Sequence, residues 1–242
     1  MKTKVTIPIF IRTFFLFPIF MILVLIPIML LIIVASFLPN GKLMATKLYE
    51  FFGWVGLKFV GVKLIVKGAE KIDVNKSYVV VSNHPSTLDI FTHITALPVS
   101  IRFLTKTELF RIPVFGRALK VLGLPRIDRK NASANFEKIN DSISKVIKNK
   151  NSIMIFPEGK RSNQKDLLPF KKGAAYISKD FHLPIVPVVT HNAHNLMRKG
   201  EVWLRSGEIT LEILDPIYNT EELTVEELTT KIYNLIDEKL KV

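Results

Sequence analysis

The chain has 242 residues, no cysteine and a formal net charge of +13. The lack of cysteine excludes disulfides, thiolate nucleophiles and every Cys-ligated metal site. A hydrophobic share of 48% and a mean hydropathy of +0.28 exclude a disordered chain and are high for a freely soluble one.

The length suits one domain with an appendage, large enough to bury its own core. The charge is unevenly divided. Residues 1–200 carry 30 Lys and Arg against 11 Asp and Glu, and residues 201–242 carry 4 against 10. A basic body of this kind suits nucleic acid, anionic lipid or a phosphorylated substrate.

From Thr13 to Gly41 there are 29 residues without a charge. As one helix the apolar part would reach roughly 39 Å, against about 30 Å of bilayer hydrocarbon. A signal peptide has an apolar region of only about 7–15 residues, so retention in the mature protein is expected. Lys2, Lys4 and Arg12 precede the run and Lys42, Lys47, Lys58 and Lys63 follow it. Positive charge on both flanks gives no orientation bias. Pro18 and Pro27 lie inside the run, and each removes a helix hydrogen bond. A bent segment that enters one leaflet and returns satisfies both facts; a straight span is the alternative.

A second stretch, Leu43 to Val60, sets Phe51, Phe52, Trp54 and Phe59 among Lys47 and Lys58. It reads as an interfacial helix, and equally as a helix packed on the globular body. Residues 1–60 are therefore expected to form a two-helix membrane anchor. The expected location is the cytoplasmic face of the cell membrane, monotopic.

After Gly61 strands alternate with helices. Strands are expected at Val62–Val66, Tyr78–Ser82, Arg102–Thr105, Ser152–Phe156, Ile185–Thr190 and Glu208–Ile213. Helices are expected at Leu88–Ala96, Val114–Leu122, Ala134–Lys148 and Gly173–Phe181. Thr224 and Glu227 make a capping box for a last helix. The fold class is α/β, with a mixed and largely buried sheet flanked by helices.

Three segments carry chemistry. In Val79–Asp89 a buried strand ends at Asn83, and Pro85 biases His84 away from helical geometry. Asp89 follows five residues after His84. There it can bond one imidazole nitrogen and leave the other as a general base. Ser86 with Asp89 is also a plausible capping box. In Ile153–Ser162 a second buried strand empties into Pro157-Glu158-Gly159, with Lys160 and Arg161 at its end. Open α/β sheets place ligands there, and Arg161 offers a fork for phosphate. The third segment runs from Thr105 to Gly116 and on to Arg129. It sets Lys106, Arg111, Arg126 and Arg129 beside Phe110, Ile112, Val114 and Phe115, which suits a phosphate head with an acyl tail. His191 and His194 lack a helical acidic partner, so no metal site is expected. His93 and His182 read as structural.

In order and spacing these blocks resemble the glycerolipid acyltransferase family. The resemblance rests on Asn83-His84 with Asp89, on Lys106–Gly116 continuing to Arg129, on Phe156-Pro-Glu-Gly-Lys-Arg-Ser162, and on Leu183-Pro-Ile-Val-Pro-Val188. It covers roughly Lys63 to Thr190. The third block looks most like enzymes acylating 1-acyl-glycerol-3-phosphate. Lys160 departs from the family, which more often has Thr.

The resemblance implies a glycerol-3-phosphate acyltransferase-like fold, with residues 61–242 as the acyltransferase domain. It implies acyl transfer from an acyl carrier protein or coenzyme A thioester to the sn-2 hydroxyl of lysophosphatidic acid. His84 would be the base, oriented by Asp89. Lys106, Arg129, Glu158, Gly159 and Arg161 would bind substrate, with the Gly159 amide or Lys106 on the oxyanion. No metal and no cofactor beyond the thioester is implied. Competing readings are an acyltransferase for another lyso-lipid and a lipid-phosphate-binding scaffold without chemistry. A nucleic-acid binder is the weakest, because the aromatics form no stacking platform.

Overall fold

The computed structural model describes residues 6–128, 136–162, 167–198 and 200–241. The apolar run is one continuous helix, α1 (Ile7–Ala35). Two π-turns, Arg12–Leu16 and Met21–Leu25, lie just ahead of Pro18 and Pro27. A π-turn widens the helix by one residue. That clears the proline ring from the carbonyl behind it and absorbs the missing donor. The prolines therefore do not fold the chain back. The reversal comes at residues 36–40, and α2 (Gly41–Val60) returns alongside α1.

Among the described residues only α1 is long and apolar enough to cross a membrane. The expected two-helix anchor is corrected to one such helix. α2 instead turns a small-residue face to the body. A Cβ on Gly53 would fall 2.8 Å from Ile94, and one on Gly56 would enter the Phe91 ring. Both contacts belong to α3 (Asp89–Ala96), which lies against the α2 backbone. Arg102 fastens α2 further. Its buried guanidinium donates to Thr46 Oγ1 at 2.8 Å, Leu122 O at 2.7 Å and Ser100 Oγ at 3.0 Å.

The main sheet contains β1 (Val62–Lys67), β2 (Val79–Ser82), β3 (Ile101–Phe103), β6 (Ser152–Ile155), β7 (Ile185–His191) and β8 (Gly207–Ile213). Their order is β1-β8-β7-β2-β6-β3, parallel except for the antiparallel β7–β8 pair. The strand expected at Arg102–Thr105 divides. Its second part, β4 (Thr105–Lys106), pairs with β5 (Arg126–Ile127) in a separate two-stranded sheet.

Side chains alternate across the strands, and both faces are covered. Val80, Met154 and Val188 face the side of α1, α2 and α4 (Phe115–Val121). Val79, Val81, Ile153 and Ile185 face α5 (Phe136–Lys148), α6 (Gly173–Asp180) and α8 (Val225–Leu240). Burial on both faces is why these strands read as unbroken apolar runs. α8 begins with the expected capping box of Thr224 and Glu227.

Candidate active site

β2 and β6 end side by side, and the chain leaving each supplies one half of the site. Asn83 closes β2. Its Oδ1 accepts from the Thr190 amide at 2.8 Å and its Nδ2 donates to the Thr190 carbonyl at 3.0 Å. A side chain thus continues the β2–β7 ladder past its last backbone pair.

His84 comes next, and the β6 loop holds its backbone at both groups. Its N–H donates to Glu158 Oε1 at 2.8 Å, and its carbonyl accepts from the Ser162 amide at 3.1 Å. Glu158 Oε2 accepts from the Leu168 amide at 3.1 Å. Burial raises the Glu158 carboxyl above its ordinary value, against the pull of those two amides.

His84 Nδ1 lies 2.7 Å from Asp89 Oδ2. The same oxygen accepts from the Ser86 amide at 2.9 Å. The imidazole partner and half of the expected capping box meet at this one atom. The other half is absent, because Ser86 Oγ accepts from the Leu88 amide and the helix is capped at Leu88 without a side-chain bond. With a carboxylate at Nδ1, the neutral ring carries its proton there and leaves the Nε2 lone pair free. Asp89 is fully buried. Burial raises its carboxyl above the ordinary value, and the His84 hydrogen bond is the largest opposing effect.

Arg161 donates from Nη1 to Thr87 Oγ1, which brings a cation to the His84 turn. Gly159 takes φ +72°, a left-handed value that glycine reaches without strain. Its N–H donates to Phe156 O at 3.0 Å, so the amide is already engaged in the turn. His84, Asp89, Glu158, Gly159 and Arg161 therefore share one corner. Lys106 stands outside that corner, exposed on β4. Arg129 lies outside the described residues.

Sequence reasoning missed several members of the corner. Thr87, Phe156 and Ser162 were inside the blocks but had no assigned part. Lys171 was not singled out at all. Its amide donates to Pro157 O at 2.9 Å, and its Nζ lies 3.1 Å from where a Cβ on Gly159 would stand. His93 is buried beneath the dyad, with Nδ1 2.7 Å from the Asp89 carbonyl. Burial pushes it down to about 4, so it is neutral at pH 7.

An apolar cavity of about 590 Å³ opens beside this corner. That volume is in the range of pockets that enclose a small ligand. Thr87 and Leu88 border it, Phe20 and Leu25 of α1 and Phe52 of α2 wall it, and Ile112–Phe115 close one side. Val114 is held there at φ +61° and ψ −61°. A β-branched residue in this region is strained. The Phe115 amide closes the tight turn on the Pro113 carbonyl at 2.6 Å.

Residues 63–191 match the family model described as Acyltransferase. The chain is 31% identical over 191 residues to a 1-acyl-sn-glycerol-3-phosphate acyltransferase of Limnanthes alba, covering 78% of this chain and 67% of that one. It is 34% identical over 180 residues to the protein of the same name from Cocos nucifera, covering 74% and 58%. Among solved structures it resembles the 1-acyl-sn-glycerophosphate acyltransferase PlsC of Thermotoga maritima. The TM-score is 0.83 at 25% identity, over 97% of this chain and 95% of that one.

Proposed function

Because the chain belongs to the acyltransferase family, we propose that it acylates the sn-2 hydroxyl of 1-acyl-glycerol-3-phosphate and so makes phosphatidic acid. The acyl donor is a thioester of acyl carrier protein or coenzyme A. The observation that carries the reading is the 2.7 Å bond from His84 to buried Asp89 at the border of an apolar cavity.

In this mechanism His84 Nε2 takes the proton of the acceptor hydroxyl as its oxygen attacks the thioester carbonyl. Asp89 keeps the ring in the required tautomer and stabilises the imidazolium. The tetrahedral intermediate collapses with cleavage of the carbon–sulfur bond. The thiolate then takes the proton back from His84, and ester and free thiol leave. Oxygen attacks directly, so no acyl-enzyme forms. The cavity beside Thr87 suits an acyl tail. Arg161 suits the acceptor phosphate, and Lys171 stands near it. The oxyanion donor is left open between the Gly159 amide, which already bonds Phe156 O, and Lys106, which stands exposed on β4.

The enzyme works from the cytoplasmic leaflet, with α1 lying along the surface rather than crossing it. The support is the packing of α1. Its inner face is buried at Thr13, Phe20, Leu25, Ile28, Ile32 and Ala35, over nearly its whole length. Phe20 stacks on Phe59 of α2, and the far end packs beside α4. A helix covered along one side by its own domain is not free to cross a bilayer. Its other face, from Ile7 to Val34, is open and apolar. The basic body adds about 1 kcal/mol of attraction to anionic lipid per well-placed cation.

Purified protein given labelled lysophosphatidic acid with each thioester in turn tests the activity. Labelled phosphatidic acid is expected, and its absence with both donors overturns the assignment. Protease access to an N-terminal tag in sealed vesicles tests the placement. A tag on the face opposite His84 overturns the one-leaflet arrangement alone.

A further inference from the structure

The chain leaving β7 passes through α7 (Ala193–Leu196) and reaches Met197. The Met197 carbonyl accepts from Ser86 Oγ at 2.9 Å, inside the His84–Asp89 turn. A few residues later the same loop meets α1. The Trp203 ring lies edge-on to Phe14 at 5.4 Å and beside Phe10 at 6.4 Å. The next residue, Leu204, is buried, and its amide donates to Thr13 Oγ1 at 3.1 Å.

The loop is tied down from within. The Arg205 amide donates to Leu196 O at 3.1 Å, and its guanidinium pairs with Glu201 at 2.7 Å. Its apolar residues divide between two environments. Leu204 goes inward, while Val202 is 57% exposed. Val202 and Trp203 thus continue the open face of α1, where Phe10 and Phe14 are 46% and 48% exposed.

We propose that residues 202–203 are a second membrane contact, entering lipid beside Phe10 and Phe14. Through Met197 and Ser86 this contact holds the catalytic turn at a set distance from the leaflet. The inference rests on the surface placement of α1 given above. A single helix in a surface is free to roll about its axis; a second contact off that axis stops the roll. The occupant is lipid because the patch is continuous with an uncharged stretch from Thr13 to Gly41. A protein partner would face a polar rim instead. Trp203 at the border, one side packed and one side open, is the residue type that sits at the lipid–water boundary.

The chain has two tryptophans, Trp54 and Trp203. Trp54→Phe leaves Trp203 as the only reporter. The probe is phosphatidylcholine–phosphatidylglycerol vesicles, plain or with brominated acyl chains, without substrate. Blue-shifted Trp203 emission, quenched by the brominated lipid, is expected. Val202→Ser with Trp203→Ser is expected to lower vesicle partition about tenfold, while acyl transfer in detergent micelles keeps the parent rate. Unquenched Trp203 emission on vesicles that sediment the protein overturns the inference, as does parental partition by the double variant. A protein that ignores the vesicles overturns both this contact and the placement of α1. Absence of acyl transfer overturns the proposed reaction and leaves the quenching result standing. With no native cysteine, Val202→Cys carrying an environment-sensitive dye reads the same contact independently.

Discussion

The imidazole of His84 lies flat against the ring of Phe156, with 4.0 Å between centroids and 9° between planes. Phe156 is itself held, by Phe103 at 5.8 Å and by His93 at 5.5 Å in an edge contact. Stacking stops the imidazole from turning about its long axis, and Asp89 fixes one nitrogen. The other nitrogen is left aimed before substrate arrives, which spares reorganisation during the reaction.

Removing the base should remove the reaction. His84→Ala and Asp89→Ala are both expected to abolish transfer, and Asp89→Asn to retain a trace. A positioned general base contributes about 10²–10⁴-fold. Turnover of labelled lysophosphatidic acid in detergent checks this, and near-normal turnover by His84→Ala would sink the mechanism.

Arg161 should act on one substrate. Arg161→Ala is expected to raise the apparent KM for the phosphorylated acceptor about 10- to 100-fold, the size of a lost charge-assisted contact. The KM for the thioester should move much less. Thr87→Val, which removes only the hydroxyl that Arg161 contacts, should shift the acceptor constant in the same direction by a smaller factor. Equal shifts for both substrates would count against the assignment.

Asp89 should cost stability at neutral pH. Its folded-state pKa is raised by burial, whereas the unfolded chain has the ordinary value. Between the two values the folded protein holds the extra proton. Stability therefore falls as pH rises through that window and returns as pH falls. Asp89→Asn removes the charge and is expected to melt above the parent at pH 7. The gain should shrink as the pH falls from the raised value toward the ordinary carboxylate value, and vanish below it. Melting curves across pH decide it, and a lower midpoint for the variant at pH 7 would refute the sign.

Val114 stores backbone strain at the cavity wall. Such a conformation costs about 1–3 kcal/mol, and Val114→Gly relieves it at an entropic cost of roughly 0.5–1 kcal/mol. The net gain should raise the melting midpoint by about 2–4 °C. A fall in the midpoint would mean that Val114 packing outweighs the strain.

Much of this was legible from local pattern. The strands at 79–82 and 152–155 are short β-branched or apolar runs, and the capping box at Thr224 marks the start of α8. The His84–Asp89 spacing was legible because both partners lie within one turn. What stayed hidden depends on residues distant in sequence. The clamp of Asn83 on Thr190 joins positions that only the sheet order brings together. The two amides that face the Glu158 carboxyl come from His84 and Leu168, and a sequence does not show that they meet there. The prolines of α1 read as bends because nothing local announces a π-turn that absorbs them.

The pinning of α2 by Arg102 bears on how the protein can be handled. A shortened version beginning after residue 60 looks attractive for crystallisation or large-scale expression, since it discards the greasy end. It would also discard Thr46, which bonds the guanidinium, and Tyr49, whose ring stands 5.5 Å from it. Phe91 and Ile94 would lose the helix they pack against, and the cavity would lose the wall made by Phe20, Leu25 and Phe52. The exposed remainder would be prone to aggregate. Preparations that keep both N-terminal helices in detergent or nanodiscs are the ones in which this chain should stay folded and active.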